Sequence, residues 1–149
     1  MINTDLIKQL RAETGAGVME CRKALESSNG DLEKAKVYLK KHFVEKAEKK
    51  ADRETSQGVI ESYIHASGKI GALVTLLCET DFVARTEDFK TLAHELCMQV
   101  ASMNPKDVKE FLSQAYIRDP KMTISDLVKE KSGKLGENIQ VKEFTRLEI

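Results

Sequence analysis

The chain has 149 residues, and its 24 lysine and arginine side chains are balanced by 24 aspartate and glutamate side chains. A formal net charge of zero removes the overall electrostatic case for a nucleic-acid-binding protein, which needs excess cations to face the phosphates. The three cysteines are far apart in apolar contexts, which predicts reduced, buried thiols. The longest apolar run, Ile70–Cys78, is too short for a membrane-spanning helix, so we expect a cytoplasmic protein without a membrane partner, or one whose targeting signal has been removed.

Residues 1–45 predict three short helices joined by tight turns. Apolar side chains recur at helical spacing over residues 4–13, and the glycines within residues 14–17 then end the first helix. Two further helices follow, each with one apolar face. The positions predicted to be buried on those two faces are Val18, Cys21, Leu25, Leu32, Ala35, Leu39 and Phe43.

A charged segment separates this predicted module from the rest of the chain. Residues 46–56 contain no apolar side chain larger than alanine, which predicts a frayed helix end and a linker. A second domain is then expected over residues 57–149. It begins with β character at residues 58–65, turn chemistry at residues 66–69 and the apolar strand Ile70–Cys78, which together predict a hairpin.

The remaining elements mix helices and one more strand. A long helix is predicted over residues 86–103 and should lie across the apolar face of the hairpin. Residues 108–120 predict a short helix and an extended segment, and Thr123–Asp126 is similar to a capping box that opens a further helix. Residues 139–147 predict the last strand, in which Phe144 switches phase as at a bulge or in a strand covered on both faces. The predicted fold class is α+β, with an N-terminal three-helix module followed by a small antiparallel three-stranded sheet packed with helices.

The junction between the hairpin and the long helix carries the run Thr80-Asp81-Phe82-Val83-Ala84-Arg85. It places a carboxylate and a bulky aromatic side chain next to each other where an apolar strand ends. Two interpretations are open. Either Thr80 or Asp81 caps free backbone amides while Phe82 enters the core, or Asp81 and Phe82 protrude as a wedge for a partner protein.

Patterns that carry covalent chemistry are not evident in the sequence. Gly68-Lys69 lacks the upstream glycine of a phosphate-binding loop, and the glycines of residues 14–17 are those that a helix–helix turn requires. His42, His65 and His94 are scattered without metal-ligand or nucleophile–base spacing. We therefore expect no cofactor, no metal site, no catalytic residue and no enzymatic activity.

Three motifs give the chain a resemblance to the translation elongation factor Ts family. Residues 80–85 resemble one signature of that family, residues 14–25 resemble a second, and residues 135–139 resemble the segment that leads into its last strand. The resemblance extends over residues 4–147. It implies that the N-terminal module is similar to ubiquitin-associated domains and that residues 57–149 form the family's core (dimerisation) domain. It also implies that the chain is a guanine-nucleotide exchange factor for the GTPase elongation factor Tu, without direct contact to nucleic acid.

The same resemblance implies which residues meet the partner. Phe82 would enter between helices of the G domain, and Asp81 would disturb groups around the magnesium ion. Val18 and Met19 are also core candidates, and because both cannot point inward, the outward one is expected to be the contact. His65 is a weaker candidate, since long members of the family carry their functional histidine in a second hairpin. The implied contacts to elongation factor Tu are Thr80, Asp81, Phe82, Val83, Arg11, Val18, Met19, Arg22 and His65.

The chain departs from long members of that family in having no second core repeat, because nothing after Met103 duplicates the pattern of residues 59–82. It therefore resembles a short form. We expect a homodimer, since a three-stranded sheet has exposed edges and the last strand, residues 139–147, is apolar on both faces. The alternative function is a non-enzymatic adaptor that uses the ubiquitin-associated-like module to bind another protein.

Overall fold

The fold combines an N-terminal helical module with a small sheet, as a computed structural model that describes residues 2–149 shows. The predicted α+β class is confirmed. The helices are α1 (Thr4–Thr14), α2 (Val18–Ser27), α3 (Leu32–Glu48), α4 (Asp81–Ala84), α5 (Glu87–Met103), α6 (Val108–Ser113) and α7 (Ile124–Leu135), and the strands are β1 (Gln57–Ile64), β2 (Ile70–Cys78), β3 (Ala115–Tyr116), β4 (Asp119–Thr123) and β5 (Gln140–Glu148).

Helices α1, α2 and α3 pack around a small core of their own. Asn3 caps α1 by accepting a hydrogen bond from the amide of Leu6, and Gly15 ends that helix in the left-handed conformation with φ 71°. The prediction that Val18 belongs to the buried face of α2 is wrong, because Val18 is the first residue of that helix and 48% of it is exposed. The core of the module consists of Leu10, Ala16, Cys21, Ala24, Leu25, Ala35, Leu39 and Phe43.

A glutamate fixes α2 against α3. The Nζ of Lys46 lies 3.0 Å from Oε1 of Glu20, and the amide of Gly17 donates to Oε2 of the same residue over 3.2 Å. Partial burial acts to raise the pKa of Glu20, but these hydrogen bonds outweigh it and hold the pKa below its ordinary value of 4.5. The ionised form of Glu20 therefore stabilises the contact between α2 and α3.

The larger core lies between the three-stranded sheet and α5. The sheet has the antiparallel strand order β1-β2-β5, and α5 covers the face to which Ala72, Val74 and Leu76 point. The pairing of β2 with β5 shifts register between Thr75 and Leu76, so Lys142 is the extra residue of a bulge. The phase switch in the last strand is thus explained by a bulge.

Two features of the structure were not in the sequence-based expectation. One is the single-turn helix α4, and the other is the two-stranded sheet that β3 and β4 form. Helix α3 continues to Glu48, into the charged segment expected to be a frayed helix end and a linker. The division of the chain into a module at residues 1–45, a linker and a core stays a prediction.

Helix α3 makes direct contact with α7. The backbones approach so closely that a methyl group at Gly133 would overlap the carbonyl oxygen of Phe43. Just beyond the end of α3, the carbonyl oxygens of Ala51 and Arg53 accept hydrogen bonds from Nδ2 of Asn138, over 3.2 Å and 2.7 Å. The N-terminal helices are therefore held against the core by a close helix crossing and by hydrogen bonds to the backbone.

Candidate functional site

The turn after β2 presents an aromatic side chain to solvent. Thr80 caps the single turn of α4, and its Oγ1 accepts a hydrogen bond from the amide of Val83 over 3.3 Å. Val83 and Ala84 are buried and anchor the turn, whereas 82% of Phe82 is exposed. The capping prediction for Thr80 is confirmed, and the interpretation in which Phe82 enters the core is wrong.

The carboxylate of Glu137 holds this turn from the opposite side. Its Oε1 accepts hydrogen bonds from the amides of Glu79 and Thr80 over 3.1 Å and 2.9 Å, and its Oε2 accepts from the hydroxyl of Thr80 over 2.7 Å. In return, Oε2 of Glu79 accepts a hydrogen bond from the amide of Asn138 over 2.7 Å. Sequence reasoning missed this role of Glu137, although the residue lies within one of the three motifs.

A buried thiol adds a further bond to the turn. The Sγ of Cys78 donates to the carbonyl oxygen of Thr80 over 3.1 Å. Burial raises the pKa of Cys78 to about 11, and the nearby charge of Glu137 acts in the same direction. The thiol is therefore protonated at neutral pH and remains a hydrogen-bond donor.

Within residues 2–149, the carboxylate of Asp81, next to Phe82, is paired only with a residue of its own turn. Its Oδ2 lies 2.6 Å from a guanidinium nitrogen of Arg85, and both side chains are largely exposed. An exposed pair of this kind contributes at most about 1 kcal/mol, because water and salt screen it. Asp81 can exchange Arg85 for a group on a partner at little cost in free energy.

The N-terminal candidates form a second exposed set. Both Val18 and Met19 point outward, at 48% and 60% exposed, so the prediction that one of them turns inward is wrong. The reason is that α2 buries the stripe of Cys21, Ala24 and Leu25 instead. Arg11 and Arg22 are exposed as well. Nε of Arg11 donates to the carbonyl oxygen of Ala16 over 3.3 Å, and Nε of Arg22 donates to Glu26 over 2.9 Å.

The side chain of Lys134 lies between the α1–α2 turn and the start of α5. The Nζ of Lys134 lies 3.6 Å from Oδ2 of Asp88, in the first turn of α5, and against Gly15, where a methyl group would meet it at 2.6 Å. The turn between α1 and α2 therefore lies beside the start of α5, close to α4. His65 is not part of this arrangement, because it follows β1 at the far end of the hairpin, about 25 Å from Phe82 by the rise of a strand.

The described residues offer little for bond chemistry. Within residues 2–149, no three His, Cys, Asp and Glu side chains are grouped to hold a metal ion. The other two thiols are buried, and burial raises the pKa of Cys97 to about 12 and that of Cys21 above its ordinary value. Over the same residues, no helix is long and apolar enough to cross a membrane. What the geometry does present is an exposed carboxylate beside an exposed aromatic ring on a fixed turn.

Comparison with known proteins identifies similar chains. A family model described as Elongation factor TS matches residues 79–149. The chain is 45% identical to an elongation factor Ts from Coprothermobacter proteolyticus, over 190 positions that cover 97% of this chain and 96% of the relative. It is 39% identical to an elongation factor Ts from Thermoanaerobacter sp. (99% and 95% covered) and 38% identical to one from Caldanaerobacter subterraneus subsp. tengcongensis (99% and 96% covered). Because these alignments contain more positions than this chain has residues, the relatives carry internal residues without a counterpart here.

Proposed function

The chain belongs to the elongation factor Ts family, and from that premise we propose that it acts as a guanine-nucleotide exchange factor for the GTPase elongation factor Tu. The observation that supports this most directly is the exposure of Phe82 on a turn whose neighbours are buried. A large apolar side chain held in solvent costs free energy in the isolated protein and gains it when a partner buries the ring.

The proposed mechanism requires no covalent step, and the protein is then not an enzyme in its own right. A factor that binds the nucleotide-free GTPase more tightly than the nucleotide-bound form must, by linkage, weaken nucleotide binding by the same factor. Phe82 enters between helices of the G domain, and Asp81 disturbs the groups around the magnesium ion that holds the phosphates. The second contact to elongation factor Tu is made by the ubiquitin-associated-like module, through Arg11, Met19 and their neighbours. The exchange takes place in the cytoplasm, and the chain does not contact nucleic acid directly.

The experiment that tests this function measures GDP release. Elongation factor Tu loaded with fluorescent GDP is mixed with excess unlabelled GDP, and the decay is followed with and without this chain. We expect the chain to accelerate the decay in proportion to its concentration until it saturates. An unchanged decay at saturating concentration, together with retention of elongation factor Tu in a pull-down, would support an adaptor and reject exchange.

We also propose that the protein works as a homodimer through the sheet face that α5 does not cover. Pairing in the sheet places four exposed apolar side chains on that face, namely Ile60, Ile64, Leu73 and Leu147. Strands β1 and β5 are the two edges of the sheet. The predicted dimer strand β5 therefore borders the open apolar face, and a second copy could contact both. A second copy related by a two-fold axis would cover the same surface on both chains.

Analytical ultracentrifugation tests the dimer. The wild-type chain is expected to sediment as a dimer, and Leu73→Glu, which places a charged carboxylate on the apolar face of each copy, is expected to sediment as a monomer. Thr91→Glu on the exposed surface of α5 is the control, because it adds the same single negative charge. A wild-type monomer that exchanges nucleotide at full efficiency would contradict the proposal.

A further inference from the structure

The direction of Phe82 depends on residues outside its own helix. Helix α4 has four residues and is too short to be stable by itself. The amides of Val83 and Ala84 in this turn donate to the hydroxyl and the carbonyl oxygen of the cap residue Thr80. Thr80 is itself fixed by further hydrogen bonds on its amide, its hydroxyl and its carbonyl oxygen. Whatever holds Thr80 therefore also sets the position from which Phe82 projects.

Glu137 accepts most of the hydrogen bonds that fix Thr80 and its neighbour Glu79. Both of its carboxylate oxygens are used, and all three donors belong to Glu79 or Thr80. Hydrogen bonds to a carboxylate are about twice as strong as those between neutral groups. The same hydroxyl of Thr80 that donates to Glu137 also accepts from Val83, so the carboxylate orients the cap as well as the backbone.

We propose that Glu137 is a positioning residue for nucleotide exchange: it fixes Thr80 and thereby pre-orients Phe82 before the partner is met. This inference depends on the proposed exchange function. A side chain that is already in its bound direction loses less conformational freedom on association, and misplacement of a critical group by about 1 Å costs about 100-fold in rate. Glu137 acts through Thr80 and requires no contact of its own with the partner.

A double-mutant cycle on GDP release separates positioning from general stability. We expect Glu137→Ala to lower the exchange rate at least about tenfold, and to have little further effect in a chain that already carries Phe82→Ala. Glu130→Ala is the matched control, because Glu130 lies in α7 and its side chain takes part in no hydrogen bond or ion pair within residues 2–149. Equal losses from Glu137→Ala in both backgrounds would overturn the proposal, as would full activity of the single variant.

Amide hydrogen exchange supplies a readout that needs no partner. Glu137→Ala is expected to release the amides of Glu79 and Thr80 at least about tenfold faster while the amides of α5 keep their protection. Glu137→Gln keeps an acceptor for these amides and is expected to restore most of both activity and protection, which also covers the case in which the alanine variant does not fold. Protection at Glu79 and Thr80 that is unchanged in both variants would refute the positioning role.

The two arms distinguish the possible failures. If the wild-type chain does not accelerate GDP release, the exchange function fails and Glu137 has no exchange to support. If the wild-type chain accelerates release and Glu137→Gln loses activity as completely as a folded Glu137→Ala, the charge itself is needed at the partner and positioning through Thr80 is wrong. Recovery by Glu137→Gln, with non-additivity toward Phe82→Ala, supports the proposal.

Discussion

Replacing Phe82 with alanine should separate nucleotide exchange from folding. With 82% of the residue exposed, the ring buries little area in the isolated chain, so its removal should change the free energy of unfolding by less than about 0.5 kcal/mol. Phe89, which is fully buried beside the sheet, is the contrast. Truncating a buried phenylalanine costs about 3–5 kcal/mol, so Phe89→Ala should lower the melting temperature markedly.

The effect of Phe82→Ala on exchange follows from burial in the partner. Complete burial of a phenylalanine side chain stabilises by about 1.5–3 kcal/mol, and a central aromatic anchor typically contributes about 2 kcal/mol or more. A loss of about 2 kcal/mol corresponds to a rate about 30-fold lower at subsaturating concentrations of the factor. Asp81→Ala should lower the rate less, because its carboxylate is already screened by solvent and by Arg85.

The assay is stopped-flow release of fluorescent GDP from elongation factor Tu, with thermal unfolding measured on the same preparations. Ile117→Ala is the control, since Ile117 is an exposed apolar residue at a site remote in sequence from the turn. A Phe82→Ala variant that unfolds easily but exchanges normally per folded molecule would refute the wedge. Equal loss of exchange in Ile117→Ala would show that the effect is not specific to the turn.

Three further predictions concern stability and reactivity. Gly133→Ala should destabilise the protein by about 1–3 kcal/mol, because the added methyl group forces α3 and α7 apart. Gly17→Ala has φ −66° and meets only Oε2 of Glu20, at 3.5 Å, so it should cost no more than the loss of a good N-cap residue, about 1 kcal/mol or less; a melting temperature of Gly133→Ala equal to that of wild type would contradict the close crossing. Glu20→Gln should lower the melting temperature at pH 7. The difference from wild type should begin to shrink as the pH falls below 4.5 and should vanish only below the depressed folded pKa, where the carboxylate is protonated in both states; a difference that persists in stronger acid would reject the ion pair. Cys78 and Cys97 should react with iodoacetamide at pH 8 at least about 100-fold more slowly in the folded chain than in denaturant, because burial raises both thiol pKa values; comparable rates in the two states would refute the predicted burial.

The hairpin and the long helix were predictable from sequence because each has an unambiguous period. The apolar strand Ile70–Cys78 has the same bounds in the structure, and the helix over residues 86–103 differs by one residue at its start. The end of α3 was predictable only as a frayed helix end without a defined last residue, since Ala47 is buried among charged neighbours and a single alanine gives no apolar stripe. Helix α4 has too few residues to show any period.

The functional residues were predictable only in part, and for a physical reason. The motif identified the Phe82 turn, but hydrophobicity alone does not distinguish Phe82 from Phe89, of which one is exposed and the other is buried. The hydrogen bonds of Glu137 to Thr80 join residues 57 positions apart. No local pattern encodes a contact of that separation, so it required the structure.

The close crossing of α3 and α7 has a mechanical consequence for any partner that touches both the Phe82 turn and the exposed residues around Met19. Gly133 leaves no gap in which the two helices could slide, and Lys134 lies between the α1–α2 turn and α5. The span between Met19 and Phe82 is therefore bridged by packed helices and not by a free linker, which makes this chain the stiffer body at that span. When a stiff body and a more compliant one must fit together, the compliant one deforms, because bending it costs less energy. The distortion that opens a nucleotide site would then occur in the GTPase, and the factor would return from each encounter in the shape in which it entered.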